Sequence, residues 1–182
     1  AGDAEAGKQR AVACVPCHGA EGISLIDIFP NLAGQYAPYL ARKLAAYRSG
    51  DQKNVMMNPT AQALSDADIQ NLAAYYAGLS CTAAPNGKAP GDAAAGKLLA
   101  KNCTVCHGET GTGSKFGWPK LGAQKPGYQV SALKAFKAGL RKDPMMAGVS
   151  RAMSDTDIAN LAAYYAAQSC QTTTPITPTQ PG

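Results

Sequence analysis

The chain has 182 residues, of which 46% are apolar and 16% are charged. This length accommodates one large domain or two small ones, and the composition is too apolar and too weakly charged for a disordered chain. No uninterrupted apolar run approaches the roughly 18 residues that a membrane-spanning helix requires. The net charge of +5 is a mild excess, and the tyrosines follow helical spacing instead of alternating with basic clusters. We therefore expect no nucleic-acid partner.

The first half of the chain is predicted to be helical. Asp3 is placed to cap a helix that runs up to Cys14, and Pro38 suits the first turn of a helix that Gly50 would end. A further helix is predicted after residues 65–68, which resemble a capping box with Asp in place of the usual Glu. Behind this box an apolar stripe with a helical period is formed by Ile69, Leu72, Ala73 and Tyr76. Because strand-like alternation is absent, the predicted fold class is all-α.

The second half repeats the first half at a constant offset of 89 residues, and Asp92 takes the place of Asp3. The capping box returns at residues 154–157, and the stripe returns as Ile158, Leu161, Ala162 and Tyr165. One offset over the whole length indicates a duplication. Each copy is small enough that a hydrophobic core alone would be marginal. The predicted organisation is an N-terminal domain at 1–81, a linker at 82–90, a C-terminal domain at 91–170 and a flexible Thr/Pro-rich tail at 171–182.

The chemistry lies in a repeated Cys-x-x-Cys-His motif, formed by Cys14, Cys17, His18, Cys103, Cys106 and His107. This is the attachment sequence of c-type haem. Two thiols at this spacing can add to the two vinyl groups of one porphyrin, and the adjoining histidine is placed to reach the iron. A covalent haem would also supply the apolar core that each half lacks. The motif therefore predicts two covalently bound haem c groups.

Zinc and thiol redox chemistry are the alternative uses of these cysteines. A structural zinc ion takes four ligands, commonly from two separated pairs, and in each half the adjacent Cys and His would have to share one ion. A thioredoxin-like Cys-x-x-Cys belongs next to a βαβ pattern, which the sequence lacks. Both alternatives are disfavoured.

The sequence limits the possible sixth ligands of the iron. The chain has only two histidines, and both follow the Cys-x-x-Cys pairs, so a second histidine is not available within the monomer. Methionine, lysine, a weak amide or an open site remain. Methionine doublets at 56–57 and 145–146 occupy equivalent positions of the repeat. Thioether ligation raises the potential and suits electron transfer, whereas Met153 is expected to be a core residue.

The haem motifs, together with residues 29–35 (FPNLAGQ), 118–124 (WPKLGAQ) and 64–66 (LSD), resemble the dihaem cytochrome c4 family over about residues 1–170. The resemblance implies two class I cytochrome c domains in tandem. It selects Met57 and Met146 as the axial ligands opposite His18 and His107. It also implies that the carbonyls of Pro30 and Pro119 accept hydrogen bonds from the Nδ1–H groups of the two histidines. Finally, it implies close helix crossings at Gly7 and Gly96.

The same resemblance implies an electron carrier that is not an enzyme. The expected acceptor is a terminal cytochrome oxidase, and the expected donor is the cytochrome bc1 complex or a small periplasmic redox protein such as a cupredoxin. Peripheral association with the membrane is compatible with this role. A haem subunit of a larger oxidoreductase, such as a flavocytochrome, is the alternative. A dihaem peroxidase is disfavoured because it needs an open or bis-histidine haem.

Cys81 and Cys170 end the two halves and are not needed for haem attachment. A disulfide between them is expected, since an exported protein rarely keeps two free thiols, but an intermolecular bridge or two buried thiols remain open. Haem attachment and oxidised thiols both indicate an oxidising compartment. The chain opens on small residues without a leader, so we expect a periplasmic protein whose export signal has been removed.

Positive charge is concentrated in the second half. Residues 1–89 carry seven basic and seven acidic side chains, whereas residues 90–182 carry ten and five. Most of the excess comes from Lys115, Lys120, Lys125, Lys134, Lys137, Arg141 and Lys142. For most of these residues a solvated face is expected, and the net field should raise the potential of the C-terminal haem and steer an anionic partner.

Overall fold

A computed structural model describes residues 1–81, 86, 89–113 and 117–170 of the chain. The helices of the first half are α1 (Ala4–Arg10), α2 (Val15–His18), α3 (Ala37–Ser49), α4 (Met57–Gln62) and α5 (Asp66–Ala77). Those of the second half are α6 (Ala93–Ala100), α7 (Thr104–His107), α8 (Pro126–Lys137), α9 (Pro144–Ser150) and α10 (Asp155–Ala166). Within the described residues no strand is present, and the all-α prediction is confirmed.

The predicted helix starts are confirmed by their caps. The carboxylate of Asp3 accepts from the backbone N–H groups of Glu5 and Ala6. Asp92 caps α6 in the same way. Both capping boxes are complete, with Ser65 and Asp68 bonded reciprocally at the start of α5 and the equivalent pair at the start of α10. These side chains satisfy N–H groups that a helix start leaves without partners.

The first helix ends earlier than predicted. Instead of continuing to Cys14, α1 stops at Arg10, and Ala11–Cys14 form a 3₁₀ turn. Helix α3 behaves as predicted, because Pro38 lies in its first turn and Gly50 ends it with a left-handed φ of +83°.

The two halves have equivalent cores in which the first helix crosses the last. The predicted stripe on α5 is buried, with Leu72 only 1% exposed. The stripe on α10 is buried as well. At the crossings, a Cβ on Gly7 would lie 2.0 Å from the carbonyl oxygen of Asn71, and one on Gly96 would lie 2.0 Å from that of Asn160. Only glycine permits this approach. Met153 packs against the second core, as Leu64 does against the first.

A disulfide joins the two halves. Cys81 and Cys170 are bonded, with their Cα atoms 5.7 Å apart. Because the two cysteines are equivalent in the repeat, the bond places these positions close to a pseudo-two-fold axis between the halves. Cys81 is buried, and its side chain packs so closely against Gly34 that a Cβ there would lie 2.6 Å from the Cβ of Cys81.

The predicted linker and tail are described only in part. Asn86 of the linker donates through Nδ2 to the carbonyl oxygens of Ala123 and Gln124 at 2.9 and 3.2 Å. The tail, residues 171–182, lies outside the described residues. Among the helices of the described ranges, none is both long enough and apolar enough to cross a bilayer.

Candidate haem-binding sites

Each Cys-x-x-Cys-His motif forms a single helical turn. In the first half Cys14 precedes α2, which contains Cys17 and ends at His18. Residues three and four apart share one face of a helix, so both thiols and the imidazole lie on the same side of this turn. Gly19, with φ +83°, ends the turn.

The second motif has the same construction. Cys103 precedes α7, which contains Cys106 and ends at His107, and Gly108 follows with φ +79°. All four motif cysteines are half-buried, and none of them takes part in a disulfide. Burial raises the pKa of the Cys14 and Cys103 thiols, which is what a cysteine facing an apolar group experiences.

The two histidines are buried and held in one orientation. The Nδ1 atom of His18 lies 2.9 Å from the carbonyl oxygen of Pro30, and that of His107 lies 3.0 Å from the carbonyl oxygen of Pro119. A carbonyl only accepts, so Nδ1 carries the proton and Nε2 keeps its lone pair. Burial lowers the pKa of both imidazoles, although the bonds to proline oppose this shift. Each histidine is therefore neutral, the form that ligates a metal.

The methionine doublets are tethered alike. The Asn54 side chain accepts from the backbone N–H groups of Met56 and Met57, both at 2.9 Å. Asp143 holds residues 145–146 in the same way, at 3.0 and 2.9 Å. In each doublet the first side chain is exposed, by 45% at Met56 and by 57% at position 145, and the second is half-buried. The second methionine of each doublet is therefore the less exposed of the two.

Arg141 lies buried between the two halves. Its Nη2 donates to the Tyr39 hydroxyl at 2.7 Å, across the interface, and its Nη1 donates to the Tyr128 hydroxyl at 3.2 Å. Its Nε has no hydrogen-bond partner among the described residues. Lys43 is a second cation nearby, and burial, with Arg141 as the next cause, lowers the pKa of its amine to about 8. A cluster with two cations and an unpaired donor fits an anionic group.

Two of the seven basic residues do not lie on a solvated face, whereas Lys134, Lys137 and Lys142 are exposed as expected for most of them. Lys120 is 6% exposed and Arg141 is 7% exposed, so these charges lie inside the interface. The Lys120 amine lies over the Tyr36 ring, 5.0 Å from its centroid. The buried position of Arg141 could not be predicted from the sequence. The equivalent residue of the first half is Gln52, so the repeat does not indicate a buried cation at this position. Lys115 lies outside the described residues.

The donor set suits two haem groups better than a metal ion alone. In each half two thiols and a neutral histidine share one face, and a half-buried thioether is available. At the interface the Nε of the buried Arg141 guanidinium has no hydrogen-bond partner among the described residues. Within the described ranges, no group of three or more His, Cys, Asp or Glu side chains is arranged to hold a metal ion.

Comparisons with known proteins agree with this arrangement. The Cytochrome c family model matches residues 4–80 and again residues 93–167. Cytochrome c4 of Thiocapsa roseopersicina is 35% identical over 178 residues, which cover 90% of this chain and 91% of that protein. The thiosulfate dehydrogenase electron acceptor of Stutzerimonas stutzeri is 36% identical over 173 residues, which cover 86% of this chain and 79% of that protein.

A solved structure agrees as well. Reduced recombinant cytochrome c4 from Pseudomonas stutzeri superimposes with a TM-score of 0.83 at 32% sequence identity, over 92% of this chain and 100% of that chain. The chain therefore belongs to the cytochrome c family, within it to the two-domain cytochromes c4, which are electron-transfer proteins and not enzymes, and it carries two covalently bound haem c groups.

Proposed function

We propose that the protein is a periplasmic electron carrier of a respiratory chain. Its two domains, residues 1–81 and 91–170, each carry one haem and exchange one electron at a time, so that the protein holds up to two. The acceptor is a terminal cytochrome oxidase, and the donor is the cytochrome bc1 complex or a small redox protein such as a cupredoxin. The observation that best supports this role is the equivalence of the two sites. Each site has a neutral buried histidine and a half-buried methionine.

The iron ligands are His18 with Met57 in the first domain and His107 with Met146 in the second. Three features support this assignment. Both Nδ1 atoms are occupied by proline carbonyls, which leaves Nε2 for the iron. Burial keeps the histidines neutral. The second methionine of each doublet is half-buried, whereas the first is exposed. With both of these side chains bound, the iron would have no position left for a substrate, and this suits electron transfer.

Arg141 would hold a haem propionate. A haem carries two carboxylates, and a carboxylate is the group that a buried guanidinium with an unpaired Nε accommodates best. Tyr39 and Tyr128 would hold the guanidinium in position through their hydroxyl groups. When bound, the haem supplies the redox chemistry, and these side chains orient it and balance its charge.

A redox titration followed by visible absorption tests the proposed function. We expect two haems per chain by pyridine haemochrome, two one-electron steps, and a methionine–iron charge-transfer band in the oxidised protein. Rapid oxidation of the reduced protein by a purified terminal oxidase, compared with oxidation of a mitochondrial-type cytochrome c, tests the acceptor. One haem per chain, or no methionine band, would contradict the assignment of the sites.

A second candidate function is that of the haem-carrying acceptor of a dehydrogenase, or of a haem subunit in a larger oxidoreductase. The similarity to the thiosulfate dehydrogenase electron acceptor of Stutzerimonas stutzeri favours it. Mixing the oxidised protein with a purified thiosulfate dehydrogenase and thiosulfate distinguishes the two. Reduction within one enzyme turnover supports the dehydrogenase as donor, whereas reduction by the bc1 complex alone supports the respiratory role.

A further inference from the structure

The peptide group that accepts the His18 hydrogen bond is also held from the opposite domain. The Pro30 carbonyl accepts from His18 Nδ1 at 2.9 Å. The N–H of the same peptide unit belongs to Asn31, and it donates to Oε1 of Gln124 in the second domain at 2.7 Å. The Gln124 amide nitrogen donates back to the Asn31 carbonyl at 3.0 Å. One peptide unit therefore links the first histidine to the second domain.

The second domain contains the reciprocal arrangement. The Pro119 carbonyl accepts from His107 Nδ1 at 3.0 Å. The N–H of that peptide unit belongs to Lys120, and it donates to Oε1 of Gln35 in the first domain at 2.9 Å. The Gln35 amide nitrogen donates back to the Lys120 carbonyl at 3.1 Å. Gln35 and Gln124 are equivalent in the repeat, so the contacts follow the pseudo-two-fold axis.

We propose that Gln124 and Gln35 are positioning residues that set the donor strength of the axial histidine in the opposite domain. Gln124 acts on His18, and Gln35 acts on His107. This inference rests on the proposed ligation of iron by these two histidines.

The physical basis is the polarisation of the shared peptide group. When the peptide N–H donates to a glutamine oxygen, negative charge increases on the carbonyl oxygen of the same unit. That oxygen then accepts more strongly from Nδ1–H, which makes Nε2 a better electron donor. Greater donation stabilises oxidised iron, so each glutamine lowers the potential of the haem across the interface.

The local environment favours a strong effect. Gln35 is 6% exposed and Gln124 is 8% exposed, so bulk water has little access to their amides. The orientation of each amide is defined, since the oxygen must face a backbone N–H and the nitrogen must face a backbone carbonyl. Each glutamine oxygen also accepts from the backbone N–H of the following residue. This residue is Tyr36 for Gln35, at 3.1 Å, and Lys125 for Gln124, at 2.9 Å.

The decisive experiment is Gln124→Met, with Gln35→Met as its mirror image. Methionine matches the length of glutamine but removes the amide acceptor. In the intact dihaem protein, Gln124→Met should raise the potential of the N-terminal haem and leave that of the C-terminal haem unchanged. Gln35→Met should do the reverse. The two potentials are assigned by NMR of the haem-methyl resonances, and the ¹⁵N shift of the opposite histidine's Nδ1 should move towards that of a weaker hydrogen bond.

Two further variants separate polarisation from loosening of the interface. Tyr36→Phe removes another bond between the domains, from the hydroxyl to the Thr112 carbonyl at 3.1 Å, without removing either glutamine acceptor, and should leave both potentials in place. Gln124→Glu keeps an acceptor at the same position, so the N-terminal potential should be at or below that of the wild type. A rise in Gln124→Glu similar to that in Gln124→Met would overturn the inference.

A potential change in the same domain as the substitution, an equal change at both haems, or no change overturns the inference alone, provided that the wild type shows two low-spin haems with methionine bands. A wild type without two such haems overturns the proposed function, and the inference falls with it.

Discussion

Each methionine doublet offers two thioethers, and only one can bind an iron. Met57 and Met146 are half-buried, whereas Met56 and Met145 are exposed. Met57→Ala should abolish one of the two charge-transfer bands and lower one potential, because a thioether favours reduced iron. Met146→Ala should do the same at the other haem. The matched controls Met56→Ala and Met145→Ala remove exposed side chains and should leave both bands. Loss of a band in a control variant would move the ligand to the neighbouring methionine.

At the scale of single residues, motifs with local spacing could be predicted and contacts between the domains could not. The haem cysteines and histidines lie within one helical turn, so the sequence contains their geometry. Gln35 and Gln124 are visible as a repeated pair, but nothing local shows that each side chain crosses to the other domain. The buried position of Arg141 could not be predicted either, because the sequence does not distinguish it from an exposed arginine. Only the tertiary structure brings its tyrosine partners together.

The crossing of the first and last helices can be tested at Gly96. An added Cβ would lie 2.0 Å from the Asn160 carbonyl oxygen, so α6 and α10 would have to separate. Gly96→Ala should lower the free energy of unfolding by about 3 kcal/mol, the upper end of the cost of overpacking. Gly148→Ala is the matched control, because nothing lies within 4 Å of its added Cβ and alanine stabilises a helix by about 0.5–1 kcal/mol. Guanidinium unfolding followed by circular dichroism measures both, and equal stabilities would refute the close crossing.

The capping box of α5 predicts a pH dependence. The Ser65 backbone N–H lowers the pKa of the Asp68 carboxyl below its ordinary value of 3.8, and Arg10 lowers it further. Since the carboxyl is more acidic in the folded state, its stabilisation is present above pH 3.8 and is lost as the pH falls through the folded-state pKa. Asp68→Asn should lower the Tm near neutral pH, and the difference should shrink below pH 3.8. A Tm difference that does not change with pH would contradict this role.

Helix starts were easier to predict than helix ends. Caps such as Asp3 and Ser65 act through their own side chains on the next few residues, so four residues of sequence contain the whole interaction. The change to a 3₁₀ turn at Ala11–Cys14 has no such local marker. There the chain must bring Cys14 to the start of α2 while α1 stays packed on α5, and that requirement comes from tertiary structure.

For the whole molecule, the disulfide between Cys81 and Cys170 holds the two domains in the register that the glutamine contacts require. It closes a loop of 89 residues, which in the chain-entropy model stabilises the fold by about 4–5 kcal/mol. Reduction, or Cys81→Ala with Cys170→Ala, should therefore lower the free energy of unfolding by up to that amount. Each single variant, Cys81→Ala or Cys170→Ala, should lose about as much free energy of unfolding as the double variant, because one remaining thiol cannot form the bond.

The same variants test whether the bond matters for redox properties. Without it the domains remain joined only by the chain and by non-covalent contacts, so a fraction of molecules should open. In that fraction both histidines lose the glutamine contact, and both potentials should rise together, unlike the one-sided change in Gln124→Met. Dithiothreitol should reproduce the effect in the wild type and have no effect in the double variant. Two free thiols in unfolded, unreduced protein would show that the bond is absent, and unchanged potentials after reduction would show that non-covalent contacts alone keep the domains closed.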